Sequence, residues 1–141
     1  MKKIKSTLLS LLSVLFLFSC SSDDDNGIDT SKLLGKWYIY SITENGTENL
    51  YENDCEDMKD YLNFKSTGFV DNIMYEYDET SFVCIPYNDP ASYNVSGNKI
   101  YITYEGEAGE DAELIWTVQT LNDNSLIVKE LDGTRVKFTR N

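Results

Sequence analysis

The connections between the apolar segments constrain the fold of this chain most, because all of them are short. From Gly35 onward, segments rich in aromatic and β-branched residues alternate with brief turn sequences such as Asn45-Gly46, a strong hairpin signal. No segment keeps a helical period over about eleven residues. Parallel strands need long crossovers, so the short links predict an antiparallel, up-and-down arrangement. The sequence therefore predicts an all-β domain.

The number of strands predicts that the sheet closes on itself. About eight strands in an open sheet would leave two exposed edges, whereas a barrel has none. In a barrel the last strand pairs with the first, and alternation places Val136, Phe138 and Arg140 on the inner face. We therefore expect Arg140 beside Trp37, where a guanidinium stacked on an indole contributes about 0.5 to 2 kcal/mol.

Alternation also assigns the faces of the first strand. One face is expected to hold Trp37, Ile39 and Ser41, and the other Tyr38, Tyr40 and Ile42. Further along the chain, Pro86 to Pro90 is predicted to be an irregular loop, because two prolines cannot both donate to a ladder.

A set of apolar residues is predicted to face the barrel interior, where they are candidates for lining a ligand pocket. The set is Ile39, Phe64, Phe69, Ile73, Tyr93, Ile102, Trp116 and Val128. An eight-stranded barrel is just wide enough either to be filled by side chains or to hold one small ligand. The sequence leaves both alternatives open.

The first 19 residues have the pattern of a secretory signal. A start with three lysines precedes an apolar run from Ser6 to Phe18, which is too short to span a bilayer alone. Leu17-Phe18-Ser19-Cys20 resembles a bacterial lipobox, which implies cleavage before Cys20 and lipidation of its thiol. The next residues, Ser21 to Asp25, resemble the acidic signal that sends Bacteroidota lipoproteins to the outer face of the outer membrane.

These features divide the chain into three parts. Residues 1–19 are the predicted signal peptide, residues 20–32 a flexible acidic tether, and residues 33–141 the barrel domain. We expect the protein in the cell envelope, anchored by lipid in the outer membrane and exposed at the surface or in the periplasm.

Several motifs together resemble the lipocalin superfamily, and more closely the lipocalin-like domain of Bacteroidota lipoproteins. In chain order they are Gly35-Lys36-Trp37, Cys55, Leu62-Asn63-Phe64 followed by Gly68, Cys84, Asn94 to Ile100, and Val136 to Arg140. The resemblance covers Leu33 to Asn141. It implies an up-and-down barrel closed by Gly35, Trp37 and Arg140, and a protein that binds rather than catalyses.

The chain has three cysteines, and lipidation would account for Cys20. An even pair then remains in an exported, oxidising setting, so Cys55 and Cys84 are expected to form a disulfide. A redox-active pair is the alternative, although the spacing is not Cys-x-x-Cys.

Composition excludes several functions. With 24 acidic residues, 12 basic residues and no histidine, the net charge is -12, which disfavours nucleic acid and anionic membranes as partners. No catalytic motif, metal-ligand spacing or cofactor motif is present in the sequence, so we expect no enzyme, no metal and no cofactor.

Two hypotheses of different classes remain. The first is a lipid-anchored protein that binds a small apolar or amphipathic ligand inside the barrel. The second is a surface module that contacts another protein through outward tyrosines, namely Tyr38, Tyr40 and Tyr101. A hollow interior would favour the first hypothesis, and a filled one the second.

Overall fold

The structure is a computed structural model that describes residues 27–106 and 110–141. The predicted signal peptide and Cys20 lie outside the described residues. One short helix, α1 (Thr30–Leu33), is followed by nine strands, which are β1 (Gly35–Glu44), β2 (Thr47–Leu50), β3 (Tyr61–Phe64), β4 (Phe69–Asp78), β5 (Val83–Ser96), β6 (Lys99–Tyr104), β7 (Ala112–Leu121), β8 (Ser125–Lys129) and β9 (Arg135–Thr139).

The sheet is antiparallel and closes through β1, which pairs with β9 on one edge and with two strands on the other. Gly35 to Tyr38 pair with β3, and Ser41 to Glu44 pair with β2. The remaining neighbours follow chain order from β3 to β9. Strands β1 and β3 to β9 therefore form a closed eight-stranded barrel, as predicted, and β2 is a hairpin arm beside it.

Side chains from every one of these eight strands fill the interior. The buried set is Trp37, Leu62, Phe64, Val70, Ala91, Ile100, Ile102, Trp116, Val118, Leu126, Val128, Val136 and Phe138, each at most 8% exposed. The aromatic rings contact one another, with ring centroids 5.5 Å apart for Trp116 and Phe138 and 5.0 Å apart for Phe64 and Tyr93. Of the two alternatives that the sequence left open, the structure has the filled barrel.

One end of the barrel is closed by α1 and the last residues of the chain. Leu33 is fully buried, and its carbonyl oxygen accepts a hydrogen bond of 2.7 Å from Trp37 Nε1. The Arg140 guanidinium lies 3.9 Å from the centre of the Trp37 ring system. The predicted closure by Trp37 and Arg140 is therefore confirmed.

Gly35 makes this closure sterically possible. Its φ angle is +97°, in the left-handed region that favours glycine, and a Cβ at this position would lie 2.7 Å from Arg140 Nη1. Any larger residue would clash with the guanidinium as well as strain the backbone.

The predicted faces of β1 are wrong from Ser41 onward, because the strand contains a bulge. The register with β9 shifts between Ile39 and Ser41, so that Ile42 lies opposite the buried Val136. A bulge adds one residue to a strand and reverses the alternation after it. Ile42 therefore packs against the core, and Ser41 instead donates a hydrogen bond of 2.6 Å to Glu48 of the β2 arm.

The predicted loop from Pro86 to Pro90 is also wrong, because both prolines lie within β5. Strand β5 pairs with β4 along this whole stretch but pairs with β6 only from Ala91 onward. Tyr93 N donates to Gly68 O on the β4 side, and backbone N–H directions alternate along a strand. The nitrogens of Pro86 and Pro90 thus face the edge that has no partner, where proline removes no ladder hydrogen bond.

Two residues predicted to face the interior lie on the outer face of β4. Val70 is buried inside the barrel, so the odd-numbered residues Phe69 and Ile73 face outward, and Phe69 is 54% exposed. The prediction was wrong because β4 has apolar residues on both faces and alternation alone cannot choose between them.

The domain begins earlier than predicted. Ile28 donates a backbone hydrogen bond of 3.1 Å to Gly97 and packs against the core. Asp29 caps α1 by accepting hydrogen bonds from Ser31, and these hold the pKa of the Asp29 carboxyl below its usual value. Residues 27–32, assigned to the tether from the sequence, thus belong to the folded part.

Candidate functional site

The short length of β3 leaves a gap in the barrel wall. Strand β3 accompanies only the first part of β1, and β2 accompanies the last part. The chain between them, residues 51–60, leaves and returns at the same point of β1, because Tyr51 N donates to Tyr40 O and Ile39 N donates to Asp60 O. This segment, hereafter the wall loop, covers the gap between β1 and β4.

A buried carboxylate fixes the wall loop from inside. Asp60 is 2% exposed, and its side chain accepts hydrogen bonds from the Tyr51 hydroxyl, from Asn53 Nδ2 at 2.9 Å and from Tyr75 N at 2.8 Å. The bond from Tyr75 satisfies a backbone donor of β4 beyond the end of β3. Asp60 thus joins both ends of the loop to the neighbouring strand.

Tyr51 is held in its protonated form by the same arrangement. Burial of the phenol raises its pKa, and the hydrogen bond to Asp60 and the negative charge of that carboxylate raise it further. The hydroxyl therefore remains a donor across the physiological pH range.

A disulfide ties the middle of the wall loop to the barrel. Cys55 is buried and bonded to Cys84 in β5, with the two Cα atoms 6.0 Å apart. The predicted pairing is confirmed. It joins β5 to a loop that separate hydrogen bonds hold against β1 and β4.

The wall loop, β1 and the β2 arm enclose a groove of about 600 Å³ on the outer side of the barrel. The groove is lined by Tyr38, Ile39, Tyr40, Leu50, Tyr51, Glu52, Asn53, Glu56, Met58, Lys59, Asp60, Thr139 and Asn141. Three tyrosines, a leucine and a methionine provide apolar surface, and carboxylates, amides and one lysine provide polar contacts. This mixture offers both apolar and polar contacts to a small amphipathic molecule.

Lysines accompany the tyrosines on this outer wall. Lys59 Nζ lies 6.0 Å from the Tyr38 ring centre, and Lys137 Nζ lies 4.6 Å from that of Tyr40. The Tyr38 ring lies 5.5 Å from that of Tyr61. In an acidic protein, this wall therefore presents aromatic faces beside positive charge.

Only some residues of this groove were predicted from the sequence to form a binding surface. Tyr38 and Tyr40, predicted to face outward, line the groove, whereas Tyr101 lies on β6 and not among its lining residues. The wall loop was not predicted as part of a site. Its one sequence signal is Cys55, which marks a segment fixed by a disulfide.

The predicted interior residues divide into two groups. Those that face the interior are Ile39, Phe64, Tyr93, Ile102, Trp116 and Val128. They belong to the packed core, and of these only Ile39 also borders the groove. Phe69 and Ile73 neither belong to the packed core nor line the groove.

In residues 27–106 and 110–141, no three His, Cys, Asp or Glu side chains are grouped so as to hold a metal ion. No helix in this part of the chain is both long and apolar enough to cross a bilayer.

The closed antiparallel barrel, with Gly35-Lys36-Trp37 opening its first strand and Arg140 stacked on that tryptophan, is the architecture of a lipocalin-type binding protein. A family model described as a lipocalin-like domain matches residues 33–128, which is more than half of the chain. The chain belongs to this lipocalin-like domain family.

Solved structures agree with the fold. A lipocalin-like protein from Bacteroides uniformis is 20% identical with a TM-score of 0.58, and the match covers 78% of this chain and 99% of that one. An uncharacterized protein from Bacteroides eggerthii is 16% identical with a TM-score of 0.55, and the match covers 77% and 98%. No curated protein matches the sequence. The family and fold indicate a binding function.

Proposed function

We propose that this protein is an exported bacterial lipoprotein that binds a small amphipathic ligand, without catalysis, in the groove on the outer side of its barrel. Lipidation of Cys20 would tether it to the outer membrane. The observation that carries the proposal is the contrast between a filled interior and a formed groove of about 600 Å³. Buried side chains occupy the interior, which was one of the two alternatives that the sequence left open.

The groove suits a ligand with an apolar part and several polar groups. Tyr40 and Leu50 present apolar surface to solvent, and the Asp60 network holds the opposite side rigid. A rigid site loses little conformational entropy when a ligand binds. Among the described residues that line the groove, Lys59 is the one cation beside the carboxylates of Glu52, Glu56 and Asp60, so the groove favours polar groups that donate hydrogen bonds over a ligand with a full negative charge.

Native mass spectrometry of the purified protein after incubation with membrane extract tests this proposal. We expect one small molecule bound per chain, and we expect Tyr40→Ser combined with Leu50→Ser to abolish its retention. The matched control is Tyr101→Ser, which removes an outward tyrosine away from the groove. A ligand retained equally by the groove variant and by the control would contradict the groove assignment.

The filled interior also supports a second candidate, a surface module that contacts another protein. In that case the groove variants and the parent protein would retain the same small molecules, or none at all. The exposed apolar residues of β4 and β5 offer a surface for such a contact.

A further inference from the structure

The hairpin of β4 and β5 extends well beyond the barrel. Ile73 is the last residue of β4 that pairs with β3, and Ala91 is the first of β5 that pairs with β6. Residues 74–87 therefore form a two-stranded ribbon, hereafter the ribbon, whose strands have no further strand partner.

The ribbon concentrates exposed apolar side chains. Six of the eleven large hydrophobic residues that are exposed in the described chain lie in these 14 positions, namely Met74, Tyr77, Phe82, Val83, Ile85 and Tyr87. Single exposed apolar residues are normal, but a contiguous group indicates an interaction surface.

The tip of the ribbon is unfavourable for the isolated protein in two ways. Phe82 is 75% exposed, and its φ angle is +56°, a conformation that is rare for a bulky residue. A backbone outlier of this kind at an exposed position motivates a functional hypothesis.

One face of the ribbon is covered and the other is open. Cys84 lies on the face that the wall loop contacts through the disulfide, and its partner on β4 is Tyr77. On the opposite face, Val83 and Ile85 of β5 pair with Asp78 and Glu76 of β4. This open face therefore has an apolar row beside a row of carboxylates.

Charge identifies the partner that this face fits. Residues 74–87 contain Glu76, Asp78 and Glu79 but no lysine or arginine, and neither of the two salt bridges found in the described residues involves them. A partner must therefore bring both apolar side chains and positive charge. Anionic membranes and acidic proteins do not meet this requirement.

The prolines indicate that the partner does not add a strand. Pro86 and Pro90 face the open edge of β5 and remove two of its backbone donors, which blunts the edge against strand pairing. A partner must instead lie across the open face. The five residues of β5 in the ribbon, Val83 to Tyr87, span about 16 Å. This length matches about three turns of an α-helix, so a helix could lie across the face.

We propose that the open face of the ribbon binds a cationic amphipathic helical segment of another protein, with apolar residues over Val83 and Ile85 and lysine or arginine over Glu76 and Asp78. The ribbon lies at the far end of β5 from Gly97, where the chain enters the domain, so its tip is about 40 Å from that point. A tether attached there would direct the ribbon away from the membrane.

Fluorescence anisotropy tests the proposal with two labelled 18-residue helical peptides that share a leucine face. One peptide has lysine on its polar face and the other has glutamate. The exported chain with Cys20→Ser, which avoids detergent, is titrated with each peptide at physiological salt. We expect saturable binding of the lysine peptide, at least about tenfold weaker binding of the glutamate peptide, and loss of affinity as salt is raised.

Matched variants separate this site from nonspecific binding. Ile85→Ser and the pair Glu76→Gln and Asp78→Asn should each weaken binding of the lysine peptide about tenfold. Leu131→Ser removes a side chain that is 80% exposed outside the ribbon, and Glu113→Gln removes an exposed charge, so neither should change it.

Several results would overturn the proposal. These are absence of saturable binding by the parent chain, an equal effect of Ile85→Ser and Leu131→Ser, and equal binding of both peptides. Binding of the parent chain to zwitterionic vesicles that Ile85→Ser abolishes, without peptide binding, would instead assign the ribbon to a lipid surface. Circular dichroism and the urea midpoint verify that each variant is folded.

Discussion

Replacing Arg140 with alanine tests whether this residue closes the barrel. Its guanidinium donates hydrogen bonds to the carbonyl oxygens of Lys32 at 2.7 Å, Leu34 at 2.8 Å and Lys36 at 3.3 Å, and it stacks on Trp37. These contacts join the end of the chain to α1 and to the start of β1, at sequence separations of 104 to 108 residues.

The expected change in the free energy of unfolding follows from these contacts. Hydrogen bonds to a charged group contribute about 1.5 to 3 kcal/mol each, and a stacked cation about 0.5 to 2 kcal/mol. Water can replace part of this at a half-buried site, so we expect Arg140→Ala to lower the free energy of unfolding by about 2 to 4 kcal/mol. With a urea m-value of about 1.5 kcal/mol/M, the unfolding midpoint should fall by about 1.3 to 2.7 M.

Urea unfolding followed by tryptophan fluorescence measures this change, because Trp37 and Trp116 are both buried. Arg135→Ala removes an exposed arginine from β9 and should change stability by less than about 0.5 kcal/mol. Arg140→Lys keeps the charge but loses the planar fork, so an intermediate effect is expected. If Arg140→Ala and Arg135→Ala unfold at the same urea concentration with the same m-value, the closure argument is refuted.

Three further predictions concern the wall loop. Reducing the Cys55–Cys84 disulfide should cost about 3 to 4 kcal/mol, the loop-closure value for a separation of 29 residues, and iodoacetamide should label neither thiol of the native, unreduced protein in mass spectrometry. Asp60→Asn should lower stability by about 2 to 3 kcal/mol in urea unfolding, because the amide cannot accept every present hydrogen bond, whereas Asp57→Asn on the loop surface should not. Because folding raises the pKa of Tyr51, its contribution to stability should be complete below its unfolded pKa of 10.0 and decline at higher pH, and Tyr51→Phe should make that alkaline decline shallower in urea unfolding.

The closed barrel was predictable because the residues that indicate closure, Trp37 and Arg140, lie in the first and last strands. Trp37 and Arg140 share the inward parity of their strands, and short turns leave little choice of topology. Errors appear where one backbone position decides the outcome. The bulge after Ile39 inverts the rest of β1, and the direction of a backbone nitrogen decides whether Pro86 is compatible with β5. Neither property can be read from residue type alone.

The candidate site was less predictable than the fold. Tyr38 and Tyr40 could be assigned to the outer face, but nothing in the sequence places them opposite the wall loop. That contact depends on β3 being only four residues long and on Asp60 reaching Tyr75 across the gap. It is a tertiary arrangement without a local pattern.

The distribution of stabilising interactions explains why we place binding outside the barrel. Large aromatic residues such as Trp37, Phe64, Trp116 and Phe138 occupy the interior, and the interior of an eight-stranded barrel is just wide enough to be filled by side chains or to hold one small ligand. The wall loop adds nothing to that core except Cys55, yet a disulfide and a fully hydrogen-bonded buried carboxylate fix it. A loop that served only as a connection would not require this rigidity, whereas a preformed groove does.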